Sequence, residues 1–515
     1  MKQFAVEALT DFSVPENRAK MEKAIADVET KLGREWSIII DGKRVKAPDQ
    51  FLSHNPSDPD QIVGVFQRGT PELAEQAIQS ALKAFPSWSQ RPAQERAEFC
   101  FKIADIMRRR RFELSAWMVL ETGKNWVEAD ADTAEAIDLV DFYGYEALRY
   151  AEEQPLTRIP TEKNELFYIP LGVGIVIPPW NFPLAILGGM TAGAFVAGNT
   201  VVLKPSSDAP GVSKQFMSVL EEAGLPAGVV NLLTGPGGEI GDCLVSHPKT
   251  RFITFTGSKE VGLRINERAA RTEPGQIWIK RVICEMGGKD PIIVDDEADL
   301  DLALKGVVAS AFGYSGQKCS ACSRLVLVNS IHDTFLERLV EATKKLKVGL
   351  AKNPDTNVGP VINLRSVATI SDYIDIGKRE GKLCCGGGRP DLKGYFVEPT
   401  IFSDVDRKAT IVQEEIFGPV LSVVRAEDFK DAIDIVNDSI YGLTGSLYTK
   451  NRDKMKVARD RFHVGNLYFN RKCTGALVGV HPFGGFNMSG TDSKAGGRDY
   501  LLLFSQAKCV SEVIT

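Results

Sequence analysis

The sequence predicts an α/β protein built around a doubly wound parallel sheet, with a second α/β unit after it. The first observation is that short apolar runs alternate with helical stretches from residue 172 to residue 284, as in βαβ units. The second is that the alternation resumes at residue 291 and continues to residue 469. The third is the length of 515 residues, which favours about two to four domains. In such sheets, ligands bind at the carboxyl ends of the strands.

The composition is that of a globular protein without affinity for polyanions. Hydrophobic residues make up 43% and charged residues 25% of the chain, and the net charge is −5, so we expect no nucleic acid or anionic membrane as a partner. No apolar run reaches the roughly 18 residues of a membrane span. Residues 1–7 lack the apolar core of a signal peptide, so we expect a cytoplasmic protein.

Cysteine and histidine usage indicates reduced thiols and no metal site. The nine cysteines are scattered, odd in number and include the adjacent pair Cys384 and Cys385, which is typical of a reducing compartment. The five histidines form no H-E-x-x-H motif, and no paired C-x-x-C motifs occur. We therefore expect no zinc.

The chain begins with an entry segment of about 60 residues and continues with long helices. Residues 19–32 have helical spacing, and residues 36–43 predict a hairpin with Asp-Gly at its turn. Thr70 is a suitable N-cap for the next helix. The helices predicted here cover residues 71–85, 94–122 and 126–152.

Each α/β unit contains predicted strands and helices in alternation. The first series has strands at 172–177, 200–203, 229–233, 252–255 and 277–284, and helices at 183–197, 211–223, 238–245 and 259–271. The second has strands at 291–294, 325–328, 421–424 and 465–469, and helices at 302–314, 330–347, 366–380 and 429–437, before a glycine-rich loop at 475–490. Residues 153–170 and 498–513 fit neither series, and their apolar alternation predicts strands that pair elsewhere, at a subunit interface.

Residues 316–324, GQKCSACSR, place a thiol between a predicted helix and a predicted strand. Cys319 follows Lys318, and a neighbouring cation lowers the pKa of a thiol and favours the nucleophilic thiolate. From these residues alone, two other interpretations remain open. Cys319 fits an inert buried thiol, and with Cys322 it fits a C-x-x-C redox pair.

Polar side chains follow several other predicted strands. Asn181 in PPWNFP (178–183) offers an amide donor for a developing oxyanion. Glu285, in EMGGKDP (285–291), can act as a general base. Taken singly, these residues equally fit a proline-rich turn and an exposed loop carboxylate.

Three more stretches fit a nucleotide. Lys204 in VVLKPS (201–206) and Glu415 in EEIFGP (414–419) can hydrogen-bond ribose or phosphate groups. The helix start in FTGSKEVG (255–262) suits a phosphate, because backbone N–H groups are free there. Taken singly, they also fit an exposed lysine and a surface turn, and the G-x-G-x-x-G fingerprint is absent. Together, a thiol, an oxyanion donor, a carboxylate and a dinucleotide-type sheet can oxidise an aldehyde.

These motifs, in this order, resemble the aldehyde dehydrogenase superfamily: PWNFP (179–183), KPS (204–206), FTGS (255–258), EMGGK (285–289), GQKC (316–319) and EIFGP (415–419). The resemblance implies the aldehyde dehydrogenase fold. Its Rossmann-like NAD-binding domain would cover residues 1–152 and 171–286, and its catalytic domain residues 287–490. Residues 153–170 and 491–515 would form the β oligomerisation hairpin and tail of a homodimer or a hexamer of dimers.

The resemblance also implies roles for single residues. Cys319 would be the nucleophile, Glu285 the base and Asn181 the oxyanion donor. The NAD contacts would be Ile177, Pro178, Trp180, Lys204, Ser207, Gly257, Ser258, Met286, Gly287, Glu415 and Phe417. Ser207 stands where members that prefer NAD carry Glu, so some tolerance of NADP is expected.

Residues 316–324, TGALVG (474–479) and HPFGG (481–485) narrow the resemblance to the 1-pyrroline-5-carboxylate dehydrogenase family. That family oxidises the small molecule L-glutamate γ-semialdehyde to glutamate, at the end of proline and arginine breakdown. The implied substrate contacts are Glu135, Phe182, Lys318, Ser320, Gly475, Ala476 and Phe483. Glu135 would face the ammonium group and the Gly475–Ala476 backbone the carboxylate, although spacing alone makes Glu135 part of a solvated acidic helix face.

Three rival functions stay open at this point. One is a dehydrogenase for another semialdehyde, such as succinate semialdehyde. Another is a thioester or ester hydrolase that uses Cys319 without a cofactor. The third is a non-enzymatic protein on this fold, although Cys319, Glu285 and Asn181 are all present. Lys318 either lowers the pKa of Cys319 or binds the substrate carboxylate.

Overall fold

The computed structural model describes residues 4–514. The predicted domains run from residue 1 to residue 515, so their residues 1–3 and 515 lie outside the described part of the chain. Residues 1–3 of the segment predicted to lack a signal-peptide core lie outside it as well. Its strands form two seven-stranded sheets, a three-stranded sheet and two two-stranded ribbons. Within residues 4–514, no helix has the length and apolar character needed to cross a membrane.

The entry segment packs long helices against short strands. Asp41 (φ 53°) and Gly42 (φ 71°) form the turn of the predicted hairpin. Both positions of such a turn require positive φ, which the Asp-Gly pair can adopt. The elements are α1 (Pro15–Glu29), β1 (Arg34–Trp36), β2 (Ile38–Ile40), β3 (Lys43–Val45), β4 (Asp49–Asn55), β5 (Asp58–Arg68), α2 (Pro71–Ser89), α3 (Ala93–Arg109), α4 (Arg111–Thr122) and α5 (Trp126–Ala151).

The single helix predicted at 94–122 is wrong, because the chain breaks into α3 and α4 at Arg110. Arg110 has φ −97° and ψ 14°. Its guanidinium donates hydrogen bonds to Glu113 and to the Ser218 hydroxyl, each at 2.9 Å. Ser218 is remote from Arg110 in the chain, so the spacing of apolar residues within 94–122 could not predict this break.

The first large sheet has the order β11-β10-β7-β8-β9-β2-β3 and is parallel from β11 to β9. Helices separate its parallel strands along the chain, as the alternation predicts. The elements are β7 (Val173–Ile177), α6 (Ala185–Val196), β8 (Thr200–Leu203), α7 (Pro210–Glu222), β9 (Val230–Leu232), α8 (Gly237–Ser246), β10 (Thr250–Thr256), α9 (Lys259–Ala270) and β11 (Arg281–Glu285).

The strand predicted at 277–284 starts later than expected. Ile277 and Ile279 are 81% and 92% exposed, and β11 begins at Arg281. The indole N–H of Trp278 donates to the Thr250 carbonyl at 3.0 Å. The Thr250 carbonyl, at the start of β10, therefore accepts a hydrogen bond from a side chain. Apolar composition alone did not distinguish residues 277–280 from a strand.

The second large sheet has the order β14-β15-β16-β13-β12-β18-β19, with only β14 antiparallel. Its edges are β14 and β19. The elements are β12 (Asp290–Val294), α10 (Leu300–Phe312), β13 (Cys322–Val328), α11 (His332–Lys344), α12 (Leu364–Glu380), β14 (Lys382–Cys385), β15 (Thr400–Ser403), α13 (Thr410–Gln413), β16 (Val420–Ala426), α14 (Phe429–Asn437), β17 (Tyr441–Gly442), β18 (Thr444–Tyr448), α15 (Arg452–Arg461), β19 (Asn466–Phe469) and β20 (Phe486–Asn487).

The two segments that fit neither series form a ribbon with each other. β6 (Glu162–Pro170) pairs antiparallel with β21 (Ser505–Val513) along nine residue pairs. Most of β21 is exposed. Both segments therefore pair outside the two large sheets, as expected, and within this chain each is the other's partner.

Candidate active site

The turn that carries Cys319 is held in a strained conformation. Tyr314 and Ser315 have φ 50° and 56°, a left-handed region that costs energy for residues other than glycine. Buried hydrogen bonds fix the turn: the Tyr314 hydroxyl donates to Thr122 O at 3.0 Å, and the Ser315 hydroxyl donates to Gly359 O at 2.8 Å. The nucleophile turn is thus anchored to two separate segments.

Cys319 lines a cavity of about 190 Å³ between the two α/β units. The cavity walls come from Leu9, α5, residues 182–190, β10, β11, the nucleophile turn and residues 472–500. Predicted site residues that share it with Cys319 are Glu135, Phe182, Glu285, Lys318, Ser320, Gly475, Ala476 and Phe483. The structure therefore brings every predicted substrate contact together with the thiol and the expected base.

The surroundings of the Cys319 thiol favour its protonated form. Burial raises its pKa well above the ordinary value, and the nearby carboxyl groups, Asp290 first, raise it further. Lys318 does not offset them, because its ammonium group lies 2.6 Å from the Glu128 carboxylate. The sequence left two roles open for Lys318, and its ion pair with Glu128 does not favour the one in which it lowers this pKa. Thiolate formation therefore needs a proton acceptor in the cavity.

Asn181 is positioned behind the nucleophile turn. Its side chain is buried, and Nδ2 donates to the Gln317 carbonyl at 3.0 Å. An amide has two N–H donors, so this bond fixes the group and leaves the second donor for an oxyanion. Within residues 4–514, the backbone N–H of Cys319 donates to no acceptor, which provides another donor beside the reacting sulfur.

Glu285, at the end of β11, is held by a loop from the far end of the chain. Its Oε1 accepts from the Ser493 hydroxyl at 2.6 Å and from Ser493 N at 3.2 Å, and Oε2 accepts from Gly485 N at 3.3 Å. Burial raises the pKa of Glu285 to about 7, against these hydrogen bonds. A carboxyl group with a pKa near the working pH suits a general base. Sequence reasoning missed Ser493, since no motif marks it.

Buried polar groups lie at the ends of β8 and β11, where a dinucleotide would bind. Lys204 Nζ donates to Pro205 O at 3.1 Å, and Glu415 Oε1 accepts from Gly288 N at 2.9 Å. Burial lowers the pKa of Lys204 to about 8 and raises that of Glu415 to about 7. A lysine and a carboxyl group suit the hydroxyls of two riboses.

The space in front of these groups suits a ligand. A Cβ on Gly287 would lie 2.1 Å from the Glu415 carboxylate, so glycine keeps that approach open. The Ser207 hydroxyl is buried and has no hydrogen-bond partner among the described residues. An orphaned hydroxyl three residues after Lys204 fits a polar ligand that completes the site.

The remaining predicted cofactor residues frame the same crevice. Ser258 caps α9 by accepting from Val261 N at 3.4 Å, and a helix start favours phosphate. Backbone bonds anchor the neighbouring chain, from Gly257 N to Glu285 O at 3.1 Å and from Met286 N to Ser489 O at 2.7 Å. This crevice borders the carboxyl end of β7.

Aromatic side chains close the side of the crevice towards the nucleophile. β7 ends at Ile177, and Pro178 follows. The Trp180 ring packs edge-on against Phe417 with centroids 5.5 Å apart. Phe417 has φ 56°, an unusual conformation for a bulky residue. The predicted cofactor residues of the first sheet thus lie at or beside the carboxyl ends of β7, β8, β10 and β11, where a parallel sheet binds ligands. Glu415 and Phe417 instead precede β16.

Charged groups lie along the cavity wall built by α5. Glu128 pairs with Lys318, and no donor among residues 4–514 hydrogen-bonds the Glu135 carboxyl group. Burial raises the pKa of Glu135 to about 8. Lys472 also lines the cavity. Sequence reasoning missed Glu128 and Lys472 as site residues.

Comparisons with known proteins decide the family. The model of the aldehyde dehydrogenase family matches residues 44–510. The chain belongs to the aldehyde dehydrogenase family. Its fold is the aldehyde dehydrogenase fold, as the sequence predicted.

Relatives within the family are similar over the full length. The 1-pyrroline-5-carboxylate dehydrogenase of Geobacillus kaustophilus is 55% identical over 507 residues, which covers 98% of each chain. A structure of the Thermus 1-pyrroline-5-carboxylate dehydrogenase with bound NAD has a TM-score of 0.98 at 49% identity and covers both chains completely. Betaine aldehyde dehydrogenase of Staphylococcus aureus in complex with NAD+ has a TM-score of 0.89 at 32% identity, covering 96% and 97%.

Proposed function

We propose that this enzyme oxidises L-glutamate γ-semialdehyde to L-glutamate with NAD. The observation that carries the proposal is one cavity with a thiol and a base at one side and unpaired groups for an amino-acid head group at the other. The semialdehyde is the open-chain form of 1-pyrroline-5-carboxylate. The reaction is the last step of proline breakdown, and arginine breakdown feeds it. Full-length similarity to 1-pyrroline-5-carboxylate dehydrogenases supports it.

The reaction begins with addition of the Cys319 sulfur to the aldehyde carbon. Glu285, in its ionised form, takes the thiol proton as the sulfur bonds to that carbon and then passes the proton to solvent, and the carbonyl oxygen becomes an oxyanion. The free N–H of Asn181 and the backbone N–H of Cys319 stabilise this charge, and one such donor lowers a barrier by roughly 3 to 4 kcal/mol. The product of this step is a thiohemiacetal on Cys319.

When bound, NAD supplies the hydride acceptor. The residues that would hold it are Lys204, Ser207, Ser258, Gly287 and Glu415. Ser207 lacks the carboxylate that would repel a 2′-phosphate, so we expect some use of NADP.

Hydrolysis then releases the product. Loss of hydride from the thiohemiacetal carbon leaves a thioester on Cys319. Glu285, in its ionised form, takes a proton from water as that water attacks the thioester carbonyl. The carbon–sulfur bond breaks, glutamate leaves, and the sulfur returns to the thiol state. The bonds from Ser493 and Gly485 keep Glu285 partly ionised near pH 7.

The substrate head group is a zwitterion, and the cavity has groups for both of its charges. The free N–H groups of Gly475 and Ala476 and the Ser320 hydroxyl face the carboxylate, Phe483 and Phe182 pack on the aliphatic chain, and Glu135 takes the ammonium group. An ammonium beside Glu135 favours its ionised form, against the effect of burial.

We also propose that the enzyme is cytoplasmic and forms a homodimer or a hexamer of dimers. The exposed ribbon of β6 and β21 supports an oligomer, because its outer edges leave backbone groups unpaired. The domain limits stated above remain a prediction.

The test is NADH formation, followed by absorbance, from L-glutamate γ-semialdehyde. Wild-type enzyme should form NADH, and Cys319→Ser should abolish its formation while the protein keeps its circular dichroism spectrum. A thioester hydrolase would instead cleave activated esters without NAD. Absence of NADH formation with the semialdehyde and with other short aldehydes would overturn the oxidoreductase assignment.

A further inference from the structure

Lys472 is a cation on the substrate cavity that no role above explains. It follows β19, lines the cavity and remains exposed at its mouth. Lys318, which lines the same cavity, already forms an ion pair with Glu128, with 2.6 Å between its ammonium nitrogen and the carboxylate. Among residues 4–514, Lys472 has no carboxylate within salt-bridge distance. An uncompensated ammonium group is therefore available to a ligand.

Lys472 lies beside backbone donors that are also free. A Cβ placed on Gly475 would be 3.4 Å from Lys472 Nζ. The N–H groups of Gly475 and Ala476 donate to no acceptor among the described residues. Arg471 holds this loop by donating to Thr474 O at 3.1 Å and Gly475 O at 2.7 Å. A fixed loop thus presents two N–H donors next to an ammonium group.

The titratable groups on this side of the cavity can pair with the two charges of an amino-acid zwitterion. Glu128 and Lys318 neutralise each other, and in the described part of the chain neither Glu135 nor Lys472 has an ion-pair partner. His481 adds no charge near pH 7, because burial and then Arg471 lower its pKa. One acidic and one basic group therefore remain for a ligand. An α-amino acid group carries one charge of each sign, and its ammonium favours the ionised form of Glu135 over the protonated form that burial favours.

We propose that Lys472 binds the α-carboxylate of the substrate and selects aldehydes that carry this group. The inference rests on the proposed function, and it names a residue that determines specificity within it. An ionised donor strengthens a hydrogen bond to a carboxylate roughly twofold over a neutral one. Since Lys472 contacts the head group and not the reacting carbon, it acts on KM and leaves kcat nearly unchanged.

The test compares Lys472→Gln with wild type on three aldehydes of matched chain length. L-Glutamate γ-semialdehyde carries both head-group charges, 5-oxopentanoate only the carboxylate, and 4-aminobutanal only the ammonium. The substitution should raise KM about tenfold for the two carboxylates, the size of a lost charge-assisted hydrogen bond. For 4-aminobutanal, KM should stay equal or fall, because a repelling cation has been removed.

Two control variants separate a contact from a structural effect. Lys472→Arg keeps the charge and should recover most of the affinity. Lys382→Gln removes an exposed lysine from β14, at the opposite edge of the same sheet, and should match wild type. Binding of the product glutamate, measured by calorimetry, should weaken about tenfold in Lys472→Gln, a readout that needs no turnover.

Each possible result of these measurements supports or contradicts the role of Lys472. An unchanged KM for glutamate semialdehyde in Lys472→Gln, or an equal rise for 4-aminobutanal, would overturn the role of Lys472. Those results leave the proposed function intact if wild type oxidises glutamate semialdehyde. Failure of wild type to oxidise it, with retained activity on 4-aminobutanal, would overturn the proposed function itself.

Discussion

Glu285 is a base whose proton affinity is set by residues remote in the sequence. Burial alone would hold it protonated at neutral pH, and the donors on Ser493 and Gly485 oppose burial and leave its pKa at about 7. The charge of the carboxylate is thus adjusted by hydrogen bonds rather than by a cation in direct contact.

Ser493→Ala should move the acid limb of the kcat–pH profile upwards. The hydroxyl at 2.6 Å stabilises the carboxylate, so its loss raises the pKa of Glu285 further above its ordinary value. The base must be ionised to act, so activity is lost as pH falls through this pKa. We expect a shift of about one pH unit, from the worth of a hydrogen bond to a charged group.

The measurement is kcat against pH with saturating substrate and cofactor. Ser493→Thr keeps the hydroxyl and should leave the limb where wild type has it. An acid limb that does not move in Ser493→Ala would mean that Glu285 is not the group titrating in turnover.

At the element scale, a buried ion pair ties α5 to the start of α6 and to the nucleophile turn. Lys124 and Asp132 are fully buried and 3.1 Å apart. Asp132 Oδ1 accepts from Ala185 N at 2.7 Å. The ammonium group of Lys124 also lies over the rings of Phe182 and Tyr314, at 4.0 and 4.5 Å. The pair thus connects a substrate-side aromatic ring with the turn before Cys319.

Lys124→Met should destabilise the enzyme by about 3 to 5 kcal/mol, the usual cost of leaving a buried charge without its partner. The midpoint of urea unfolding, followed by fluorescence, measures the change. The double variant Lys124→Met/Asp132→Asn removes both charges and keeps an acceptor for Ala185, so it should be less destabilised than the single variant. An unchanged midpoint in Lys124→Met would show that the ion pair does not stabilise the fold.

Elements predicted from local patterns were found, while those that depend on distant partners were not. The strand ends at or near Asn181, Lys204 and Glu285 could be predicted, because parallel sheets place such residues at one edge. Cys319 was predicted between a helix and a strand, and it precedes β13. The break at Arg110 and the late start of β11 follow from contacts with Ser218 and Thr250, which helical spacing and apolar composition do not encode.

At the scale of the whole molecule, the site joins segments far apart in the chain. Lys318 and Glu128 are 190 residues apart, and Ser493 and Glu285 are 208 apart. Sequence reasoning identified the nucleophile, base and oxyanion donor by motif and resemblance. It left the role of Lys318 open and did not predict its pairing with Glu128 or the rise in the Cys319 pKa, because both depend on tertiary contacts.

The same assembly determines what the enzyme accepts. Two α/β units and the segment at 472–500 enclose one cavity. The groups that react with the aldehyde and the groups that bind the head group are therefore held at a fixed distance from each other. A substrate with the correct aldehyde but an incomplete head group leaves Glu135 without its partner in the cavity.

The most direct test of this account is the ratio of kcat/KM for L-glutamate γ-semialdehyde to that for 5-oxopentanoate, in wild type and in Glu135→Gln. The two substrates differ only in the α-ammonium group. The account predicts at least about a tenfold preference for the glutamate semialdehyde in wild type, the worth of one charge-assisted contact, and a ratio near one in Glu135→Gln. Equal kcat/KM values for the two substrates in wild type, or a preference for 5-oxopentanoate, would contradict it.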